Sequence, residues 1–279
     1  MADWDKLTGI GDVVDKRGIG GGSLLAGGSG IIAILIVIGL NFLGLNISPS
    51  TVENVLSVIT ENQAATAPES TQAPEFRGAD TYEVFAGKVL GSTDEVWTKI
   101  FQDNNQNYKK PRLVLFRNSV SSGCGIATTQ TGPHYCPADN TIYLDERFFD
   151  ELHSKLGGDK GDVAQAYVIA HEVGHHVQNL DGSLASGQQD QVSAIQLELQ
   201  ADCYAGIWAY SIKNLGVFEN DQEINEALSA ASAVGDDNIQ QTTEGRIRPE
   251  NWTHGSSEQR VNAFKKGYTT GKPAQCVNL

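Results

Sequence analysis

The chain has 279 residues, of which 40% are hydrophobic and 19% charged, enough apolar material for one core of ordinary size. Its formal net charge is −14. This balance excludes nucleic acid as an expected partner, because nucleic-acid binding needs a basic surface.

The N-terminal residues 1–30 are expected to lie outside the folded core. Residues 18–30 are rich in glycine and serine, a composition typical of flexible segments. The following stretch is apolar, and together with residues 24–30 it supplies about 22 uncharged residues, enough to cross a bilayer. We therefore predict one transmembrane helix over residues 31–47. A cleaved signal peptide is one competing interpretation, but its charged leading region would be unusually long. A core helix is a weaker one, because the stretch has no polar face.

Basic residues on the two sides of the predicted span indicate its orientation. Lys6, Lys16 and Arg17 precede it, whereas no lysine or arginine follows until Arg77. The positive-inside rule then predicts that residues 1–30 are cytoplasmic. The rest of the chain after the span is expected outside the cytoplasm, in a periplasm or an extracellular space.

Residues 48–77 are predicted to form a flexible linker, because few of their side chains can build a core. The folded domain is then expected over residues 78–279. Its first element is a helical pattern over residues 82–103. The pattern is interrupted at 91–93 by Gly-Ser-Thr, which favours the start of a new helix there.

Two strands and a helix are predicted next. Residues 112–117 and 141–145 have the apolar pattern of strands, and residues 147–156 have that of a helix. Residues 142–144 are a candidate for an edge strand that would bind a substrate backbone by strand addition. An interior position for this strand is the alternative.

The most informative motif is H-E-x-x-H at residues 171–175, inside a helix predicted over residues 162–179. His171 and His175 lie one turn apart on the same helix face, so both imidazoles can bind one ion. Glu172 is then placed to take a proton from a water that the metal activates. This pattern predicts metal-assisted hydrolysis of an amide.

A second helix, predicted over residues 190–213, carries the third candidate ligand. Catalytic zinc sites usually have three protein ligands, and Glu198 would complete such a site. Asp202 shares its helix face and is placed to accept the free ring N–H of a ligating histidine. Small or apolar neighbours such as Ala201 and Trp208 suit a buried helix, where a carboxylate needs a cation or a partner.

Further helices are predicted over residues 223–240 and 256–268. Stabilising the oxyanion of amide hydrolysis requires a hydrogen-bond donor, for which Tyr204 and His254 are candidates. Local capping or packing is the competing role of His254. His176 adjoins a ligand but points about 100° around the helix from it, so we predict a structural role.

These motifs resemble those of the bacterial putative neutral zinc metallopeptidase family. The matching stretches cover essentially the whole chain and include S-G-C-G at 122–125, I-Y-L-D at 142–145, H-E-V-G-H-H-V-Q at 171–178, E-L-Q-A-D-C at 198–203 and T-H-G-S-S-E-Q-R at 253–260. The resemblance implies a gluzincin-like site with His171, His175 and Glu198 as zinc ligands and Glu172 as the catalytic residue. It also implies a membrane segment near the N-terminus.

The four cysteines support an exported domain. An even number in such a domain favours disulfides, and four cysteines allow three connectivities. The favoured arrangement pairs Cys124 with Cys136 across a short loop and Cys203 with Cys276. Thiolate metal ligation is the alternative.

The expected fold is a mostly helical, zincin-like α+β domain with a small sheet, preceded by one transmembrane helix. The expected function is a membrane-anchored peptidase with one zinc ion per chain, which hydrolyses peptides or proteins through a zinc-activated water with Glu172 as general base. Two alternatives stay open: an inactive zinc-stabilised interaction domain, and a zinc amidase acting on cell-wall peptides. Glu172 favours an enzyme, because a structural metal needs no general base.

Overall fold

The computed structural model describes residues 2–18, 80–186, 191–220, 222–277 and 279. Within these ranges the chain is mostly helical with a small sheet, as the α+β prediction expects. The helices are α1 (Thr81–Asp103), α2 (Phe148–Leu156), α3 (Asp162–Asp181), α4 (Ser183–Ser186), α5 (Gln191–Lys213), α6 (Ile224–Ala233), α7 (Asp236–Glu244) and α8 (Ser257–Thr270). The strands are β1 (Asp12–Asp15), β2 (Arg112–Leu115), β3 (Ser119–Ser122), β4 (Gly125–Thr128), β5 (His134–Cys136) and β6 (Thr141–Leu144).

Four of the strands form a mixed sheet in the order β1-β2-β6-β5. Strands β1, β2 and β6 are parallel, with Val13 opposite Leu113 and Leu113 opposite Ile142, whereas β5 runs antiparallel to β6. Because β6 has a neighbour on each side, residues 142–144 form an interior strand and not the edge strand. The edge next to β6 is β5, while β3 and β4 form a separate antiparallel pair.

Residues 2–17 are part of the folded domain, so the prediction that residues 1–30 lie outside the core is wrong for this segment. Strand β1 extends the sheet alongside β2, and Leu7 is buried in the main core. The ring of Trp4 stacks on that of Trp208, with 6.5 Å between their centroids. The sequence signal was weak because β1 has only four residues, whose D-V-V-D pattern shows no alternation.

A buried arginine joins the end of this segment to the start of α1. The guanidinium of Arg17 donates to Asp15 at 2.8 Å and to Asp80 at 2.9 Å, and lies 3.3 Å from Glu146. Asp80 is the N-cap residue of α1. The chain positions on either side of residues 19–79 therefore lie next to each other.

The predicted transmembrane helix over 31–47 and the predicted linker over 48–77 lie outside the described residues. Among the helices that the structure does describe, none is both long and apolar enough to cross a bilayer. The membrane segment therefore stays a prediction.

Helix α1 is continuous, so the helix start predicted within 91–93 is wrong. A Cβ atom on Gly91 would lie 2.4 Å from the carbonyl carbon of Gly9, so this glycine allows the N-terminal segment to pack directly on the helix. The hydroxyl groups of Ser92 and Thr93 donate to carbonyl oxygens one turn earlier, at 2.7 and 2.6 Å. The apparent interruption therefore marks close packing within a helix.

The helix predicted over residues 223–240 is two helices, α6 and α7, which are separated at Gly235. A Cβ atom on Gly235 would lie 2.3 Å from the backbone nitrogen of Ser257, so the glycine allows this break to pack against the start of α8. The break also places Asp236 in the first turn of α7, where its carboxylate accepts backbone N–H groups from the segment 253–255.

Both disulfides favoured from the sequence are present, and none of the four cysteines is free. Cys124–Cys136 joins the turn between β3 and β4 to the edge strand β5, with Cα atoms 5.8 Å apart. Cys203–Cys276 joins the middle of α5 to the C-terminal tail. Thiolate metal ligation is thereby excluded, because all four sulfur atoms are in disulfides.

Candidate metal centre

The close crossing of α3 and α5 brings the predicted ligands together. A Cβ atom on Gly174 would lie 2.8 Å from the Cα atom of Ala201, so only glycine lets the two helix backbones approach this closely. Glu198 lies one turn before Ala201 and therefore faces His171 and His175. The glycine inside the H-E-V-G-H motif thus determines how near the third ligand comes.

The three candidate ligands fit one metal ion. The Nε2 atom of His171 lies 3.3 Å from one carboxylate oxygen of Glu198, and the Nε2 atom of His175 lies 3.4 Å from the other. The three ligand atoms are all within 4.8 Å of one another, and the residues are nearly buried. Two imidazoles and one carboxylate suit zinc and leave a fourth position for water or substrate.

The first histidine is held by the carboxylate that the sequence predicted. Nδ1 of His171 lies 2.8 Å from Oδ1 of Asp202, which has no solvent exposure. The same carboxylate accepts hydrogen bonds from the hydroxyl of Tyr167 at 2.6 Å and from the guanidinium of Arg260 at 2.8 and 2.9 Å. These contacts fix the ring so that Nε2 faces the metal position. Arg260 was not predicted, although it ends the T-H-G-S-S-E-Q-R stretch.

The second histidine is held by an amide. Nδ1 of His175 donates to Oε1 of Gln178 at 2.9 Å, and Nε2 of Gln178 donates to the Leu197 carbonyl at 2.7 Å. Gln178 was not singled out from the sequence. Its position three residues after His175, on the same helix face, was the available signal. Both ligand rings therefore have their Nδ1 atoms occupied, and their Nε2 atoms face the carboxylate of Glu198, where a metal would bind.

The electrostatics of the cluster favour a bound cation. Burial opposes charge on His171, but the carboxylate of Asp202 raises the pKa of this imidazole to about 10. Burial also opposes charge on Glu198, yet the two neighbouring histidines hold its pKa well below the usual range. Without a metal, the site thus keeps a proton as its positive charge. A metal ion would replace that proton, because ligation requires neutral histidine.

The general base predicted from the motif faces the same cavity as the ligands. Glu172 is 6% exposed and, with His171, His175 and Glu198, lines a cavity of about 170 Å³. It is not one of the three clustered ligands. Its carboxylate is thus available to a water or a substrate beside the metal position.

His254 reaches this cavity from the segment before α8. Its Nδ1 atom lies 3.2 Å from Oδ1 of Asp236, whose other oxygen accepts the backbone N–H groups of residues 253–255 at 2.6 to 2.9 Å. This leaves Nε2 as the ring nitrogen available to the cavity. Burial lowers the pKa of His254, but the hydrogen bond to Asp236 and the charge of Glu198 outweigh it and raise the pKa. The ring is thus suited to donate a hydrogen bond.

Tyr204, the other donor candidate, lies away from the site. It does not line the cavity, and its ring packs edge-on against Trp97 with 4.9 Å between centroids. The reason is the helix period, because six residues after Glu198 correspond to about 240° of rotation around α5. The prediction that Tyr204 stabilises the oxyanion is therefore wrong.

His176 does not line the cavity at the metal position. Its Nδ1 atom lies 2.9 Å from the hydroxyl of Tyr135, and its Nε2 atom contacts the carbonyl of Lys109. Burial lowers the pKa of His176 to about 4, so the ring is neutral at ordinary pH. These contacts agree with a structural role.

Comparisons with known proteins point to one family. A sequence model described as Putative neutral zinc metallopeptidase matches residues 2–279. The chain is 38% identical over 282 residues to the uncharacterized protein YpfJ of Escherichia coli K12, covering 95% of this chain and 94% of that protein. It is 45% identical over 215 residues to the uncharacterized protein Mb2605 of Mycobacterium bovis, covering 71% of this chain and 72% of that protein. No solved structure matches the chain.

Proposed function

This chain belongs to the Putative neutral zinc metallopeptidase family, and from that premise we propose that it hydrolyses peptide bonds with one zinc ion per chain. The ligands are His171, His175 and Glu198. The observation that carries the proposal is the convergence of these three ligand atoms within 4.8 Å, with Glu172 beside them in the same cavity. A purely structural metal site has no use for that extra carboxylate.

Each residue of the site has a separate role in the proposed reaction. A bound zinc ion would polarise the substrate carbonyl and make a water a better nucleophile. The carboxylate of Glu172 accepts the proton of that water and passes it to the leaving amine. Nε2 of His254 donates a hydrogen bond to the carbonyl oxygen as negative charge develops there. Asp202 and Gln178 keep the ligand rings in place.

The purified full-length protein, tested with and without zinc, checks this proposal. We expect one zinc ion per chain and cleavage of unfolded proteins or peptides that stops after chelation and returns with added zinc. A folded, zinc-loaded protein that leaves a broad peptide panel intact would contradict the peptidase proposal and favour the interaction domain. Cleavage confined to cell-wall peptides would favour the amidase.

We also propose that the domain works outside the cytoplasm and contacts the membrane through the apolar segment over residues 31–47. Two disulfides among four cysteines support this location, because disulfides persist in oxidising compartments.

We propose that residues 2–17 lie on the same side of the membrane as the rest of the folded domain. A single crossing by residues 31–47 would separate β1 from β2 and Arg17 from Asp80, although each pair is in direct contact. The proposed outer location of residues 2–17 therefore replaces the cytoplasmic one that the positive-inside rule predicts.

Labelling of single introduced cysteines in intact cells checks this arrangement. The native cysteines are in disulfides, so an impermeant maleimide will report only Thr8→Cys or Ser154→Cys, both at exposed positions. We expect both variants to be labelled before the membrane is permeabilised. Labelling of Thr8→Cys only after permeabilisation, with Ser154→Cys labelled before it, would contradict the shared side. Labelling of both only after permeabilisation would contradict the outer location.

A further inference from the structure

The cavity at the metal site continues along an apolar wall. This wall is built by one row of side chains from α2, one residue of α3, and two residues around the start of α7. Its members are Phe148, Leu152, Leu156, Val168, Val234 and Ile239.

The spacing of these residues explains why they form a continuous surface. Phe148, Leu152 and Leu156 are four residues apart and therefore share one face of α2. Val168 lies three residues before His171 on α3, so the wall begins directly beside a metal ligand. Leu152 and Val168 are buried, whereas Phe148 and Leu156 keep partial exposure at the cavity.

The cationic side chains of Arg260 and His254 in the cavity lining are already paired with carboxylates. Among the described residues of the lining, Arg260 is bound to Asp202 and His254 to Asp236. Glu151, beside the apolar wall, pairs with Lys155 at 3.2 Å. The described lining thus has no uncommitted arginine or lysine for a substrate C-terminal carboxylate, which favours an internal peptide segment.

The edge strand β5 is positioned to hold the backbone of such a segment. His134 and Tyr135 of β5 both line the cavity, and among the described strands β5 pairs only with β6. Edge strands offer backbone N–H and C=O groups to an added strand. An extended peptide along β5 would therefore pass the metal position and present its side chains to the apolar wall.

We infer that the apolar wall is a specificity pocket for one large aliphatic or aromatic side chain next to the scissile bond of an internal peptide segment. This inference rests on the proposed peptidase function. It goes further by naming the substrate class and the residues that select it. A pocket of this kind discriminates by about 10- to 200-fold for each methylene group that it does or does not fill.

Matched peptides that differ at one position near the cleavage site test the inference. For the full-length, zinc-loaded protein we expect kcat/KM to be at least about 10-fold higher for leucine or phenylalanine than for serine at that position. Val234→Asp should lower kcat/KM for the leucine peptide and raise it for a matched peptide with lysine at the same position, because the new carboxylate attracts the ammonium group. Val234 is partly exposed, so the substitution replaces a side chain that is not fully buried. Phe148→Ala is a second variant, and it should extend the preference to larger side chains.

The matched control is Leu215→Asp, which places the same charge at an exposed position outside the cavity and should leave the preference unchanged. Equal cleavage of all peptides, or an unchanged preference in both wall variants, would overturn the inference while leaving the peptidase proposal intact. If no peptide is cleaved, the peptidase proposal fails, and binding of the same peptides is measured. Tighter binding of the leucine peptide, weakened by Val234→Asp, would still support the pocket, and equal binding would overturn it.

Discussion

Glu172→Gln is expected to lower kcat by about 10²- to 10⁴-fold, the usual contribution of a general base. Glutamine has nearly the same shape as glutamate but cannot accept the proton of the attacking water. Because Glu172 is not one of the clustered ligands, the variant should still contain one zinc ion per chain. Metal analysis and steady-state kinetics on the same preparations check both parts of the expectation.

The control for this variant is Glu258→Gln, which makes the same chemical change at an exposed position in the first turn of α8. It should keep wild-type kinetics. Cleavage at the wild-type rate by Glu172→Gln would show that another group is the base. Loss of zinc in that variant would show that Glu172 helps to hold the metal.

His254→Ala tests the proposed oxyanion donor independently of the general base Glu172. Removing a donor to the oxyanion typically lowers kcat by about 10²- to 10³-fold, and we expect KM to change little, because this hydrogen bond strengthens only as charge develops. If His254 had only the capping role that was the alternative, the loss would follow stability instead of kcat. Thermal unfolding of the variant distinguishes the two cases.

The sequence predicted the site best where the metal ligands and the general base lie close together on one helix. His171, Glu172 and His175 form a local pattern whose spacing corresponds to one helix face, and Asp202 follows Glu198 by one turn. Gln178 lies on that same helix face but was missed, because glutamine is not a usual metal ligand. Its role becomes apparent only when its contact with His175 is seen.

Features that depend on contacts between distant parts of the chain were harder to predict from the sequence. The packing of residues 2–17 on α1 is visible in the sequence only as glycines, among them Gly91, which resemble a helix break. Tyr204 was chosen for its chemistry without regard to its rotation around α5. Arg260 lies 58 residues from Asp202 in the chain, and nothing local to either residue indicates their contact. Long-range pairing of this kind follows from the tertiary fold.

His175→Ala and Gln178→Ala are expected to differ in how strongly they weaken zinc binding. The first removes a ligand, leaving two protein donors, so zinc should be lost during purification. The second leaves all three ligands but frees the ring of His175 from its hydrogen bond. Loss of such an orienting contact typically costs about 10- to 100-fold in metal affinity. Gln178→Ala should therefore retain zinc at high concentration and release it to a competing chelator sooner than wild type.

Competition titration with a chelator of known zinc affinity measures this difference, with His153→Ala as the control. His153 is exposed on α2, and its Nδ1 atom contacts the Gly158 carbonyl, so its loss should leave zinc affinity unchanged. Wild-type affinity in His175→Ala would overturn the ligand set, whereas wild-type affinity in Gln178→Ala would overturn only the orienting role. Because Gln178 also contacts the Leu197 carbonyl beside Glu198, its removal loosens two ligands together. A loss near the upper end of the range is therefore expected.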